Sequence, residues 1–400
     1  MNIGIITTWF ERGAAYVSKA YMEELTKQGN HVFIFARGGE NKGKGDPNWD
    51  FEYVTWGKNY RTTKIDKKQL YKWIEQHSLD VLFFNEQQEW KIVADTKKDK
   101  PQLKIGAYID YYTEKTLAFY EIYDFVICNT LRHQEALETH PQAYYIRWGT
   151  NIDLYVPREH SDNSSCVKFF HSVGMSPRKG TDLLVRAFID GKLYEKSKLI
   201  LHTQIPIQKV CDYTSDELSS YGIEVVERTV TAPGLYYMGD VYVYPTKLEG
   251  LGLTLYEALA SGLPVITTDF PPMNEVIDDS VGRLVKVRRN YARADGYYWP
   301  LAECDKEDLI KAMEAFIDNS NLADMKIRAR EKALQYYNWE VNAKELSDIF
   351  ERAKVKEYNP KIYYRIVQYE RQKKREPIKQ FIMNNHLLFS LLKVARDIIK

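Results

Sequence analysis

Short apolar segments alternate with longer amphipathic segments along most of this 400-residue chain, and this alternation limits the fold more than any other feature. Nearly every position in the apolar segments of the first half is hydrophobic, as in strands that are buried on both faces of a sheet. They are residues 3–7, 31–36, 81–85, 104–109 and 125–129. Residues 16–28 have the pattern of a helix, and Gly29 follows as its terminating residue. This order predicts successive βαβ units and a parallel sheet.

The same alternation begins again after a polar segment, residues 158–165. The second half is predicted to contain a helix at residues 181–189 and strands at residues 167–172, 198–202, 241–244 and 263–267. A chain of this length exceeds what a single hydrophobic core usually holds. The sequence therefore predicts two α/β domains, residues 1–158 and 166–336, joined by the polar segment.

Composition and cysteine content exclude several classes of protein. The chain has 56 basic and 55 acidic residues and is 44% hydrophobic, which is typical of a globular protein and not of a disordered chain or collagen. Its four cysteines lack the spacing of a metal site or redox pair, and we interpret them as reduced thiols. The sequence shows neither a secretory signal pattern nor an apolar stretch long enough to span a bilayer. These features predict a cytoplasmic protein.

The most specific local pattern is residues 245–266, PTKLEGLGLTLYEALASGLPVI, which run from a strand through two glycines into a short helix. Glycines let the backbone approach a ligand closely, and the first turn of a helix offers free amides to an anion. We therefore expect a diphosphate to bind around Gly250 and Gly252 and at the amides of Gly252, Leu253 and Thr254. Glu257 is placed to accept hydrogen bonds from a ribose, and Glu249 lies near the position expected for a donor sugar.

This string resembles the carboxy-terminal signature of family 4 glycosyltransferases, with a first Glu, a glycine pair, a second Glu followed by Ala, and Gly-x-Pro-Val. The resemblance implies that Glu249 contacts the donor sugar and that Glu257 contacts the ribose. A second match, residues 173–184 (VGMSPRKGTDLL), resembles the loop in which a lysine neutralises the diphosphate leaving group, and this identifies Lys179. The arginine that follows the strand in the family is absent, because Gly174 or Met175 stands there. Arg178 is either its replacement or an ordinary surface residue.

Two further positions match the family less closely. Gly13 and Ala14 stand where the family has a glycine-rich loop that approaches the phosphates and the acceptor. Asp110 stands where many members have a histidine near the reaction centre. Its carboxylate would either orient an acceptor or donor hydroxyl or cap a backbone amide at the end of a strand.

The resemblance also implies a fold and a reaction. The fold would be α/β of the GT-B type, with two Rossmann-like domains whose parallel sheets face across a cleft and with residues 337–354 crossing back to the first domain. The reaction would be hexosyl transfer, with retention, from a nucleotide-diphosphate sugar to a glycan or lipid-linked acceptor. The chain contains no Asp-x-Asp, so we predict a metal-independent enzyme without a cofactor, in which Lys179, Arg178 and helix amides carry the leaving-group charge.

Three alternative functions remain at this point. The chain could be a non-catalytic sugar-nucleotide-binding subunit of the same fold, which the absent arginine and the reduced glycine loop would favour. It could be a sugar-nucleotide epimerase, which would convert the donor without an acceptor. A purely structural interaction protein is disfavoured by the glycine-and-glutamate string.

The last 46 residues, 355–400, differ in charge from the rest of the chain. They contain 11 Lys and Arg against 4 Asp and Glu, a net charge of +7, whereas the whole chain carries +1. A basic run at residues 371–375 precedes an apolar helical pattern at residues 378–400. Residues 371–400 would then either lie on an anionic membrane or pack on the protein or on a partner subunit. No nucleic-acid-binding motif is present, so nucleic acid is not an expected partner.

Overall fold

The computed structural model describes residues 1–38, 40–60, 63–158, 166–317, 319–373, 381, 383 and 385–399. The chain forms two compact units. The first unit consists of residues 1–129, 133–146 and 343–400, and the second of residues 130–132 and 147–342. The predicted linker residues 159–165 lie outside the described residues. Of the segment expected to cross back, residues 337–342 belong to the second unit and residues 343–354 to the first.

The first unit contains a seven-stranded sheet in which all neighbouring strands are parallel, in the order β3-β2-β1-β4-β5-β6-β7. Its central strands are apolar on both faces, since helices cover both sides of such a sheet. The strands are β1 (Asn2–Thr7), β2 (His31–Ala36), β3 (Val54–Trp56), β4 (Val81–Asn85), β5 (Lys104–Tyr108), β6 (Phe125–Cys128) and β7 (Ala143–Tyr145).

Helices connect these strands. The first helix begins at Gly13, three residues before the predicted start, and buries Val17, Tyr21 and Leu25 on one face. The helices as far as β7 are α1 (Gly13–Lys27), α2 (Glu40–Gly43), α3 (Lys67–Gln76), α4 (Trp90–Asp99), α5 (Glu114–Leu117) and α6 (Leu131–Ala136).

The second unit contains a six-stranded parallel sheet in the order β10-β9-β8-β11-β12-β13. Its strands are β8 (Val167–Gly174), β9 (Ser197–Thr203), β10 (Ile223–Glu227), β11 (Val241–Tyr244), β12 (Val265–Thr268) and β13 (Gly282–Val285). Its helices are α7 (Thr181–Asp190), α8 (Ser215–Ser220), α9 (Leu253–Ala260), α10 (Lys306–Ile317), α11 (Leu322–Tyr336) and α12 (Trp339–Asn342). A buried apolar cluster that includes Phe169, Leu184 and Leu309 lies between this sheet and its helices.

In each sheet, the order in which the chain adds strands reverses beside the first strand. The chain adds two strands on one side of β1, or of β8, and then continues on the other side with β4, or β11. In open parallel sheets of this kind, ligands bind beyond the carboxyl ends of the two strands that flank the reversal. The prediction of two Rossmann-like parallel-sheet domains is thus confirmed, and the loops after β8 and β11 are the expected binding region of the second unit.

An antiparallel hairpin between β13 and α10 was not predicted. It consists of β14 (Val287–Tyr291) and β15 (Leu301–Cys304). The hairpin attaches to the β11 loop, because the Ala302 amide donates to the Lys247 carbonyl at 2.8 Å.

The carboxy-terminal segments complete the first unit. They contain α13 (Leu346–Arg352), α14 (Pro360–Lys373), which packs against α4, and a last helix, His386–Ile399, called here the C-terminal helix. Within the described residues, none of the helices combines the length and the apolar composition needed to cross a bilayer.

Candidate functional site

The loops after β8 and β11 bring Lys179 and Glu249 into contact. Lys179 Nζ donates to Glu249 Oε1 at 2.7 Å, although the two residues are 70 positions apart. The hydroxyls of Tyr244 and Thr246 donate to the same oxygen at 2.9 and 2.7 Å. All three described hydrogen bonds therefore go to Oε1. Oε2 accepts none from the described residues, so this oxygen remains available to a ligand hydroxyl.

Gly180 allows the two loops to approach this closely. Its φ is +77°, and a Cβ at this position would lie 2.0 Å from the Pro245 carbonyl oxygen. Beside it, the Lys247 amide donates to the Arg178 carbonyl at 2.8 Å. The conformation and the packing both require glycine here, and the position of Lys179 depends on it.

Glu249 is ionised although it is buried. Burial by itself would raise the pKa of this carboxyl, but the charges of Lys179 and Arg178 and the hydrogen bonds from Lys179 and Thr246 lower it to about 2. Burial lowers the pKa of the Lys179 ammonium, and the Glu249 charge opposes that shift. The side chains of Lys179 and Glu249 are only 16% and 7% exposed. The site thus holds an ion pair in a poorly solvated position, where charged hydrogen bonds are strong.

Arg178 is the second cation of this site. Its Nη2 lies 4.0 Å from Glu249 Oε2, and its side chain is 36% exposed. At the place of the absent family arginine, Gly174 has a φ of +61° and Met175 is 52% exposed. The structure therefore puts Arg178, and not residue 174 or 175, beside the available oxygen of Glu249.

Glu257 lies one turn into α9 and is held by tyrosines. The Tyr236 hydroxyl donates to Glu257 Oε2 at 2.5 Å. Burial raises the pKa of Glu257, and hydrogen bonds from Tyr236 and Tyr155 partly offset that increase. The carboxylate is thus fixed in one orientation by neutral phenols.

The glycine turn before α9 has the predicted form. Gly252 adopts a φ of +79° and precedes the first helical residue, Leu253, and no side chain caps this end of the helix. The amides of Leu253 and Thr254 belong to the first turn, where a helix provides no carbonyl partners. The first turn of α9 therefore offers donors to an anion.

The other predicted residues lie in the first unit. Gly13 and Ala14 form the first turn of α1, and the Ala14 carbonyl accepts from Asn85 Nδ2 at 2.8 Å. Asp110 is half-buried two residues after β5. The structure thus brings Lys179, Arg178 and Glu249 together in the second unit, whereas Gly13, Ala14 and Asp110 belong to a different unit.

Sequence reasoning missed the side chains that hold the two glutamates. Tyr244 ends β11 and Thr246 follows it, so their proximity to Glu249 in the sequence was an available signal. Tyr155 and Tyr236 are 102 and 21 residues from Glu257, and no local pattern indicates them.

Arg132 was also missed. It belongs to the short segment of the second unit formed by residues 130–132, and its side chain is buried. Its guanidinium donates to the main-chain carbonyls of Glu249 and Pro271 and lies 5.2 Å from the ring centre of Trp299. Arg132 therefore fixes the backbone of Glu249 and adds positive charge near it.

Residues 168–319 match the family model described as "Glycosyl transferases group 1". This segment contains all of β8 except Val167, together with the Lys179 loop, Glu249 and Glu257. The match therefore includes the whole cluster described above, apart from Tyr155 and Arg132.

Two curated relatives align with part of the chain. An uncharacterized glycosyltransferase of Sulfolobus islandicus rod-shaped virus 1 is 26% identical over 184 residues, which are 44% of this chain and 54% of the viral protein. A phosphatidyl-myo-inositol mannosyltransferase of Mycobacterium leprae is 30% identical over 114 residues, which are 28% of this chain and 26% of that protein. The chain thus spans about half, or less, of the length of these relatives.

Among solved structures, a glycosyltransferase from Rickettsia africae superposes with a TM-score of 0.69 at 14% identity. The superposition covers 88% of this chain and 98% of the Rickettsia protein. At 14% sequence identity, this superposition is evidence for a shared fold only. The chain therefore has the GT-B fold, and its second unit contains, at residues 168–319, a segment that matches glycosyl transferases group 1.

Proposed function

We propose that this protein is a retaining, metal-independent glycosyltransferase of family 4 that transfers a hexosyl group from a nucleotide-diphosphate sugar to a glycan or lipid-linked acceptor. The proposal includes a function in polysaccharide biosynthesis and a cytoplasmic location, and the latter is supported by four free cysteines. It requires no cofactor.

One observation supports the proposal most directly. An ionised carboxylate, Glu249, lies at the strand-order reversal with one oxygen fully bonded and the other available, and two cations lie next to it. A carboxylate oxygen binds sugar hydroxyls well, and cations bind a diphosphate. The carboxylate and the cations are adjacent in the site, just as the sugar hydroxyls and the diphosphate are adjacent in a nucleotide-diphosphate sugar.

The proposed reaction exchanges one bond at the anomeric carbon of the donor sugar. The bond to the β-phosphate oxygen breaks and the diphosphate leaves with the electron pair, while the acceptor oxygen bonds to the same face of the carbon. The acceptor proton passes to a phosphate oxygen, so this scheme needs no protein base. Lys179, Arg178 and the α9 amides stabilise the charge that develops on the leaving group, which supports metal independence.

The nucleotide part of the proposal can be tested by calorimetry with UDP and GDP. Glu257→Gln should weaken nucleotide binding about tenfold, because it removes a charged acceptor for ribose hydroxyls. Glu224→Gln, on the exposed face of the edge strand β10, is the matched control and should bind like the wild type. Unchanged affinity in Glu257→Gln would contradict the ribose assignment.

The transfer part needs a turnover measurement after a nucleotide-sugar donor has been found. Lys179→Ala should reduce donor hydrolysis or transfer by a factor of roughly 100 to 1,000 and should weaken donor binding less, because its charge acts mainly on the leaving group. Binding of donors without hydrolysis or transfer by the wild type would favour the non-catalytic subunit. Conversion of the donor without an acceptor into an isomeric sugar nucleotide would favour the epimerase.

A further inference from the structure

The carboxy-terminal segment contains the most exposed large hydrophobic side chains of the described residues. Tyr364, Phe381, Leu387 and Leu391 are 64% to 70% exposed, and no other large hydrophobic side chain in the described residues exceeds 57%. Isolated exposed apolar residues are common, but a group of them marks an interaction site.

Three exposed side chains line up on the C-terminal helix. Leu387, Leu391 and Val394 are 70%, 64% and 50% exposed and follow one another at spacings of four and three residues. Residues at these spacings lie on the same face of a helix. We call this face the apolar stripe.

The C-terminal helix is attached to the first unit by other residues. Phe389 is 8% exposed, and the His386 ring lies 6.0 Å from the Tyr60 ring. The apolar stripe is therefore not the face that holds the helix on the protein, and packing among the described residues does not account for it.

The preceding helix, α14, is firmly attached to the first unit. Ile362 and Ile366 are buried, and the Glu370 carboxylate accepts from the Trp90 amide at the start of α4, at 2.8 Å. In the sequence, the apolar stripe thus follows a helix that is anchored to the first unit.

The charge of the tail indicates what covers the apolar stripe. Residues 355–400 carry a net charge of +7, and Lys361, Arg365, Arg371 and Lys373 are exposed. The two other basic residues of the run at 371–375, Lys374 and Arg375, lie outside the described residues. A second copy of this chain would bring a tail of the same charge, which disfavours self-association. An anionic lipid surface offers both negative charge and an apolar layer.

We propose that α14 and the C-terminal helix form a membrane-docking surface, in which the apolar stripe enters the interface of an anionic bilayer and the exposed lysines and arginines of α14 contact lipid headgroups. Apolar insertion and electrostatic attraction together give stable peripheral binding where either alone is weak. This proposal does not rest on the glycosyltransferase function, because docking is measured without donor or acceptor.

The test is sedimentation of the full-length protein with vesicles of phosphatidylcholine alone or of equal parts phosphatidylcholine and phosphatidylglycerol. The wild type should bind the mixed vesicles, with a partition coefficient that falls as salt increases. The triple variant Leu387→Gln, Leu391→Gln, Val394→Gln should lower that coefficient about tenfold or more. The double variant Ile327→Gln, Val341→Gln changes two side chains of the second unit that are 57% and 53% exposed and should bind like the wild type.

Substitution is preferable to truncation at Val355, because removal of α14 would also expose the surface of α4 that it covers. Thermal unfolding verifies that both variants are folded. Equal partitioning of the triple variant and the wild type would overturn the proposal, as would equal binding to neutral and mixed vesicles. A wild-type dimer that the triple variant converts to a monomer would also overturn it and would identify the stripe as a contact between copies.

Discussion

At the scale of single residues, Gly180 controls the distance between the two loops that carry Lys179 and Glu249. Two separate effects act at this position, the left-handed backbone conformation and the absence of room for a Cβ beside Pro245. Gly174 separates the two effects. It also has a positive φ, but a Cβ added at this position would have no neighbouring atom within 4 Å.

We predict that Gly180→Ala destabilises the protein by more than about 2 kcal/mol and that Gly174→Ala costs about 1 kcal/mol, which is the conformational part alone. Urea unfolding monitored by circular dichroism measures both values. Equal losses in the two variants would mean that the contact with Pro245 relaxes without cost.

Glu249 gives a pH-dependent prediction. Its pKa is about 2 in the folded protein against an ordinary value of 4.5, so its contribution to stability is fully present above pH 4.5 and is lost as the pH falls towards 2. Between about pH 5 and about pH 3, the wild type should lose about 2 kcal/mol more free energy of unfolding than Glu249→Gln. Parallel stability curves for the two proteins would show that the carboxylate is not stabilised by Lys179.

The two glutamates and Lys179 were predictable because each lies in a string whose glycines and spacing are specific. Their tyrosine partners Tyr155 and Tyr236 were not, since those contacts depend on the packing of segments that are remote in the sequence. Arg132 could not be predicted for the same reason, as it reaches the Glu249 backbone from a separate segment of 130–132.

At the scale of elements, the buried strands were predictable and the peripheral ones were not. Strands such as β4 and β11 are continuous apolar runs, whereas β14 consists of Val287, Arg288, Arg289, Asn290 and Tyr291 and is mostly exposed. Such a strand is stabilised by its cross-strand partners, for example Arg289 with Glu303 at 3.1 Å, and these pairs become visible only when the register is known.

The start of α4 depends on an element that is remote in the sequence. Its own capping residue, Glu89, makes no side-chain capping hydrogen bond, and Glu370 of α14 supplies the carboxylate that accepts from Trp90. A buried carboxylate at a helix start also interacts favourably with the helix dipole.

We therefore predict that Glu370→Ala destabilises the first unit by about 1 to 2 kcal/mol, whereas Glu370→Gln, which keeps an acceptor but not the charge, loses roughly half as much. Urea unfolding again provides the measurement. A change below about 0.5 kcal/mol in Glu370→Ala would show that water replaces this cap at no cost.

At the scale of the whole molecule, each unit has its own parallel sheet and its own core. The alternation of strands and helices was sufficient to predict this. The assignment of residues 130–132 to the second unit and of the entire tail to the first was not predictable, because both are long-range packing outcomes that no local composition specifies.

Separate cores lead to a prediction about ligand binding by the full-length chain. UDP or GDP at about 100 times its dissociation constant should stabilise the protein by about 2.7 kcal/mol. Amide hydrogen exchange should slow in residues 174–181 and 245–260 and should not change in β2 and β5 of the first unit. Protection confined to the sheet of the first unit would place the nucleotide there and would contradict binding at the second unit.

The Lys179–Glu249 pair means that the ammonium already has a counter-ion before any substrate arrives. An inorganic anion such as sulfate would compete with that carboxylate for the ammonium. It has no hydroxyl group to donate to the carboxylate, so it should bind poorly. A molecule that presents phosphate oxygens to the cations and hydroxyl groups to Glu249 satisfies both partners at once. We therefore expect the resting ion pair to favour nucleotide-diphosphate sugars, which carry both kinds of group, over small inorganic anions.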